Sequence, residues 1–197
     1  MTDPLDIDPA LILAIARGAV DERFGATKML IPPRAWLDEH AATFVTIHRA
    51  EQLHGCIGSL EARRSLREDV RHNAVMAAFN DPRTRALRAD ELELMRVSVS
   101  VLGLRSPLEV ANEADARQQL RPHVDGLVLT CKGKRGVFLP QVWESLPEPG
   151  AFLDSLKRKA GLRASFWSPD LKLERFSVRK FEEPRTRFAQ NAQGWWH

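Results

Sequence analysis

The chain has 197 residues, 44% of them hydrophobic and 28% charged, with a formal net charge of +3 and a pI near 9.1. That length suffices for one sizeable core or for two lobes, and the composition is too apolar for a disordered chain. No stretch approaches the ~18 uninterrupted apolar residues of a membrane span, and the first thirty residues lack a basic-then-apolar leader, so the expectation is a cytoplasmic protein. Two cysteines, Cys56 and Cys131, stand far apart with no Cys-x-x-Cys pair, which argues against a disulfide framework and fits a reducing compartment. Basic and acidic residues alternate along the chain, a mixed solvated surface more than a nucleic-acid stripe.

Asp8-Pro9 is a helix start, since Asp can accept from first-turn amides and Pro suits the first helical position. Leu11, Ile12, Ile15 and Ala19 follow at helical spacing, and Gly25 offers a stop. After Ile31-Pro32-Pro33, the β-branched run 43–47 and the apolar run 53–58 predict a hairpin with Cys56 on its second arm. Ser65-Leu66-Arg67-Glu68 has the form of a capping box, opening a helix that should end near Asn80-Asp81-Pro82. From Met95 the pattern changes to alternation, with Val97, Val99 and Val101 between Arg96, Ser98 and Ser100, the clearest strand in the chain.

Residues 127–131 and 137–139 predict a second hairpin joined through Lys132-Gly133-Lys134-Arg135-Gly136. A helix around Phe152, Leu153, Leu156 and Ala160 should end at Gly161, and residues 171–178 read as one closing strand with a phase slip. With no regular βαβ repetition, the fold class is α+β: an antiparallel sheet flanked by helices, in two lobes of unequal size, over residues 1–183. Residues 184–197 read as a tail, in which Trp195, Trp196, Arg185 and Arg187 carry the remaining argument for single-stranded nucleic acid.

Several segments together resemble the AMMECR family and its microbial AmmeMemoRadiSam system protein A members. They are 53–58 (Leu-His-Gly-Cys-Ile-Gly), Asn73-Ala74 through Asn80-Asp81-Pro82-Arg83, 99–102, Asp125-Gly126-Leu127, 136–144 (Gly-Val-Phe-Leu-Pro-Gln-Val-Trp-Glu) and Lys159-Ala160-Gly161-Leu162, in the family's order across nearly the whole chain. The resemblance implies a two-lobed α+β fold and an association with a Memo-like protein and a radical S-adenosylmethionine protein. The chain departs from the family pattern at His54, where Arg is usual, at Thr84, where Phe is usual, and at Ser98, near which an acid is favoured.

Within these segments Cys56 is the candidate nucleophile or covalent carrier, with His54 two residues away on the same strand face as its base, and Gly55 and Gly58 leaving room for a ligand. The alternative is a small buried cysteine with glycines that serve packing. Asp81 and Arg83 are candidates to bind a small polar or anionic ligand, or else form an Asx-type turn with an ion pair. Gln141 and Trp143 follow a strand where loops often carry function, and Trp143 is either an exposed anchor for a partner or part of the core. His48 and His54 could meet across the first hairpin, but two ligands are too few, so no metal and no cofactor are expected. The leading function is thus an AMMECR-type component of a multi-protein pathway using a cleft around Cys56, and the rivals are a non-enzymatic adaptor and a nucleic-acid module.

Overall fold

A computed structural model describes residues 6–184. The tail residues Arg185, Arg187, Trp195 and Trp196 lie outside them. The fold is α+β, as the pattern of elements predicts, and every strand pair with a described register is antiparallel. The chain divides into two compact units: the described residues up to Leu102 together with those from Arg179 onward, and Gly103–Val178. No helix among the described residues is long and apolar enough to cross a membrane.

The first unit begins with α1 (Pro9–Asp21), whose free first-turn amides at Ala10 and Leu11 are taken by the Asp8 carboxylate. Such a cap contributes about 1 kcal/mol. Ile12, Ile15, Ala16, Ala19 and Val20 recur at helical spacing and are all buried. A 3-10 turn (Glu22–Phe24) then ends at Gly25, which takes a left-handed φ of 93°. A short helix, α2 (Ala35–Asp38), and a two-residue strand, β1 (His40–Ala41), lead into the hairpin of β2 (Thr43–Arg49) and β3 (Gln52–Gly58).

After β4 (Arg64–Ser65), which pairs with β1, comes α3 (Leu66–Phe79), and Ser65 and Glu68 form the predicted capping box. A 3-10 turn (Ala89–Leu94) leads to β5 (Met95–Leu102), which pairs along the full length of β2. Helices α1 and α3 pack on one face of this sheet. Where α3 meets the start of β2 the contact is polar: buried Asp69 accepts from the Thr43 amide (2.9 Å), the Thr43 hydroxyl (2.7 Å) and Asn73 Nδ2 (2.9 Å). Each of these groups is therefore satisfied out of water, which a buried polar contact requires.

The second unit contains β6 (Ser106–Pro107), α4 (Glu113–Gln119), β7 (Gly126–Cys131), β8 (Lys134–Phe138), a 3-10 turn (Pro140–Glu144), α5 (Pro149–Lys159) and β9 (Lys172–Phe176), with strand order β6-β9-β7-β8. The second hairpin is tighter than the sequence suggests. Its loop is only Lys132 and Gly133, both at positive φ (47° and 80°), the requirement of a two-residue turn, and Lys134 already pairs with Cys131. The predicted single closing strand is two. β9 ends at Phe176, and β10 (Val178–Glu182) joins β5 of the first unit, giving that sheet the order β10-β5-β2-β3. The break is a change of sheet at Ser177, not the phase slip that the sequence suggests between Leu173 and Phe176.

Candidate functional site

β3 is the outer strand of its sheet, so alternate residues turn their backbone N–H and C=O away from β2. Cys56 is one of these. Its N–H donates to Asp81 Oδ2 (2.9 Å) and its carbonyl accepts from Arg83 Nη2 (3.1 Å). The Asp81-Pro82-Arg83 turn therefore serves Cys56 as a neighbouring strand would, with two side chains in place of a backbone.

The turn is held by its own bonds. Asp81 Oδ1 accepts from the Arg83 amide (3.0 Å) and from Arg83 Nε (2.9 Å), and Asp81 Oδ2 accepts from Arg83 Nη2 (2.6 Å). Asp81 is buried while the Arg83 side chain is mostly exposed. The guanidinium and the Cys56 N–H hold the Asp81 carboxyl well below the usual carboxylate range, against the cost of burial. Arg83 is in turn held charged, chiefly by Asp81, with a smaller contribution from Cys56.

Because both backbone groups of Cys56 point outward, its pairing with Thr46 is of the kind that brings side chains closest. Thr46 Oγ1 donates to Cys56 Sγ at 3.2 Å, and the thiol is half-buried. Thr46 also pairs with Ser98 on β5, so Cys56, Thr46 and Ser98 form a row across three strands. Thr46 was not singled out by sequence reasoning; the signal was its position opposite Cys56 in a hairpin of known register.

His54 does not join this row. The β2–β3 register shifts between Ile47 and His48, so that Gly55 faces Ile47 while Leu53 already faces His48. His54 is the extra residue of this bulge, and a bulge re-aims a side chain. Its Nε2 lies 3.3 Å from the Ala78 carbonyl on α3, and because a carbonyl only accepts, Nε2 carries the hydrogen. The imidazole is thus on the helix-covered face, and Cys56 Sγ is on the other. The expectation of a base on the same strand face is overturned by one inserted residue, and so is a meeting of His48 and His54.

The room expected at the glycines is filled by the chain itself. A Cβ on Gly55 would lie 2.1 Å from the Ala77 carbonyl oxygen of α3, and one on Gly58 would lie 2.3 Å from the Phe44 ring. Gly55→Ala is expected to lower stability by about 2 kcal/mol or more, the cost of forcing backbone apart in a packed layer. The midpoint of urea unfolding measures it, and a midpoint equal to wild type would mean that α3 shifts freely.

Trp143 and Gln141 lie in the second unit. Trp143 is fully buried, stacked on Phe152 with ring centroids 3.7 Å apart and planes 3° from parallel, and its Nε1–H donates to the Asp125 carbonyl (2.7 Å). It is a core residue, and the exposed anchor expected at this position is corrected by its burial. Gln141, in the same turn, is exposed. Of the six sequence candidates, Cys56, Asp81 and Arg83 are brought into direct contact.

A second cluster at the turn end of the β2–β3 hairpin was not anticipated. Glu91 accepts from Arg49 Nη1 (2.5 Å), from both terminal nitrogens of Arg85, and from the Arg88 amide (3.0 Å). Arg85 first and then Arg49 hold its carboxyl below the usual range. Beside it is a cavity of about 160 Å³ lined by Arg49, Gln52, Leu53, His54, Thr84 and Arg85. Two of the three departures from the family pattern, His54 and Thr84, thus line one cavity.

Comparison with known proteins covers the same span as these two clusters and the second unit. The chain is 35% identical over 190 residues to a protein of Methanothermobacter thermautotrophicus, covering 91% of this chain and 97% of that one. It is 33% identical over 193 residues to a protein of Thermofilum pendens, covering 88% and 89%. The crystal structure of an uncharacterised protein from Pyrococcus horikoshii superposes with a TM-score of 0.75 at 29% identity, over 91% of this chain and 94% of that one. The sequence profile of the AMMECR1 family matches residues 13–181, from within α1 to within β10, and the chain therefore belongs to the AMMECR1 family.

Proposed function

We propose that this AMMECR1-domain chain is one component of a pathway shared with a Memo-like protein and a radical S-adenosylmethionine protein, and that it contributes a thiol centre at Cys56. The observation that carries the reading is the setting of the sulfur. Cys56 is half-buried, its Sγ accepts from Thr46 Oγ1, and its backbone is fixed at both its N–H and its C=O by Asp81 and Arg83. The Thr46 hydroxyl holds the sulfur in place, and the Arg83 guanidinium sets positive charge beside it for an approaching polar or anionic electrophile. The sulfur would add to the electrophilic carbon of a carbonyl or activated alkene, the C–S bond forming as the π bond opens; the thiol proton passes to solvent and the atom that receives the π electron pair takes a proton back from water.

Alkylation kinetics test this directly. The rate at Cys56 with iodoacetamide at neutral pH should fall by about 3- to 10-fold in Thr46→Val and in Arg83→Gln. His54→Ala should leave that rate unchanged, since the imidazole is on the other face. Cys131, buried in the second unit, is the slow internal control. A rate unchanged in both Thr46→Val and Arg83→Gln would sink the thiol reading.

That outcome would favour a non-enzymatic adaptor. Its support is an exposed apolar pair at the hairpin end: Leu53 is 53% and Leu94 44% exposed, and the Leu94 carbonyl accepts from Ala50 in the hairpin turn. The nucleic-acid alternative rests on the pI and on tail residues outside the described structure.

A further inference from the structure

We propose that the cavity at the turn end of the β2–β3 hairpin binds a phosphoryl group, as inorganic phosphate or a small phosphate monoester, with Arg49 as its principal contact. The site is separate from the thiol, and the inference stands on charge balance, free donors and size.

Two guanidiniums, Arg49 and Arg85, share one carboxylate, Glu91, so the cluster retains an excess positive charge. The neighbouring Arg83 and Asp81 balance one another. Asp90, which also acts on Arg85, is paired with Arg88 (3.1 Å), so that pair adds no net charge, and the other nearby acids, Glu51 in the hairpin turn and Glu93, are exposed. Screening by water is partial, because the Arg49 side chain is only 37% exposed.

Glu91 also fixes the donors. Arg85 gives both terminal nitrogens to Glu91, and one of them also to the Ala86 carbonyl, whereas Arg49 gives only Nη1. Among the described residues, Arg49 Nε and Nη2, the Gln52 amide and the Thr84 hydroxyl have no partner, and all three residues line the cavity. An arginine already pinned by one carboxylate loses little side-chain freedom on meeting an anion. The free N–H and O–H groups outnumber what a carboxylate's two oxygens readily accept, and they suit the three oxygens of a phosphoryl group.

Size limits the ligand. A volume of about 160 Å³ corresponds to ~5 waters at ~30 Å³ each. That holds a phosphoryl group, with its substituent directed towards the open side of the cavity. Leu53, in the wall and 53% exposed, would meet the substituent.

The test is a titration of the full chain, labelled with nitrogen-15, with inorganic phosphate, glycerol phosphate and acetate at constant ionic strength. Saturable shifts are expected at the amides of 52–54 and 84–85 with both phosphates. Arg49→Gln should weaken binding at least tenfold, and Thr84→Phe, which fills the cavity without removing charge, should abolish it. Arg34→Gln, an exposed arginine elsewhere, should change nothing. Tighter binding of glycerol phosphate than of phosphate assigns the site to an organic ester, and the reverse assigns it to the free ion. Absence of saturable shifts in the wild type, equal affinity in Arg49→Gln and Arg34→Gln, or acetate binding as tightly as phosphate would each overturn the proposal. If Arg49→Gln alters the fold, seen as dispersed shifts across the first unit, Thr84→Phe decides.

Discussion

Trp143→Ala is expected to destabilise the unit formed by Gly103–Val178 by about 4 kcal/mol, in the range measured for large aromatic residues removed from packed cores. Three losses add: the buried area of the indole, its stacking on Phe152, and the hydrogen bond that satisfies the Asp125 carbonyl. Amide hydrogen exchange over 126–131 and 152–156 measures it, as a loss of protection confined to that unit's core strands and helix. Gln141→Ala, in the same turn but exposed, should stay within about 0.5 kcal/mol of wild type. Unchanged protection in Trp143→Ala would restore the surface-anchor reading of this residue.

Asp81→Ala should cost about 3 kcal/mol. The carboxylate accepts four hydrogen bonds while buried, and its removal leaves the Cys56 N–H without a partner; Arg83 is mostly exposed, so water takes up much of its loss. The same residue sets an acid limb. Its carboxyl is depressed in the folded state, so the unfolded chain binds the proton more readily and stability rises with pH. The contribution is complete above the ordinary carboxylate range and is lost as pH falls through that range towards the depressed value. Urea unfolding of wild type and Asp81→Asn across the acid range should therefore converge at low pH. A constant difference at all pH values would mean that the Asp81 charge is not what holds the turn.

Much of the fold was legible because each signal was local. Asp8-Pro9, the Ser65–Glu68 box and the alternation from Met95 each act within one or two turns of chain, and each appears where the sequence places it. What escaped was decided across the chain. The bulge that turns His54 away from Cys56 is a register between two strands, and the same-face argument fails once the period of two is interrupted.

The continuity of 171–178 in sequence hid the passage of the chain from one sheet to another at Ser177. Arg96, Ser98 and Ser100 alternate with the valines of β5, yet all three are buried as well, which alternation alone does not reveal. The roles of Asp81 and Arg83 were half-visible: the turn and ion pair are local, but their use as the outer neighbour of Cys56 depends on α3 delivering them to β3. Glu91 drawing Arg49 and Arg85 together spans 42 and 6 residues of chain, and no periodicity announces it.

The clamp on Cys56 has a consequence for the protein in a crowded solution. A bare outer strand offers a row of donors and acceptors to any extended segment of another molecule, and such pairing is a common route to aggregation. On β3 the middle of that row is already occupied, because the N–H and C=O that a foreign strand would need at Cys56 belong to Asp81 and Arg83. The charged turn thus keeps the thiol open to small molecules while closing the backbone beneath it to other chains.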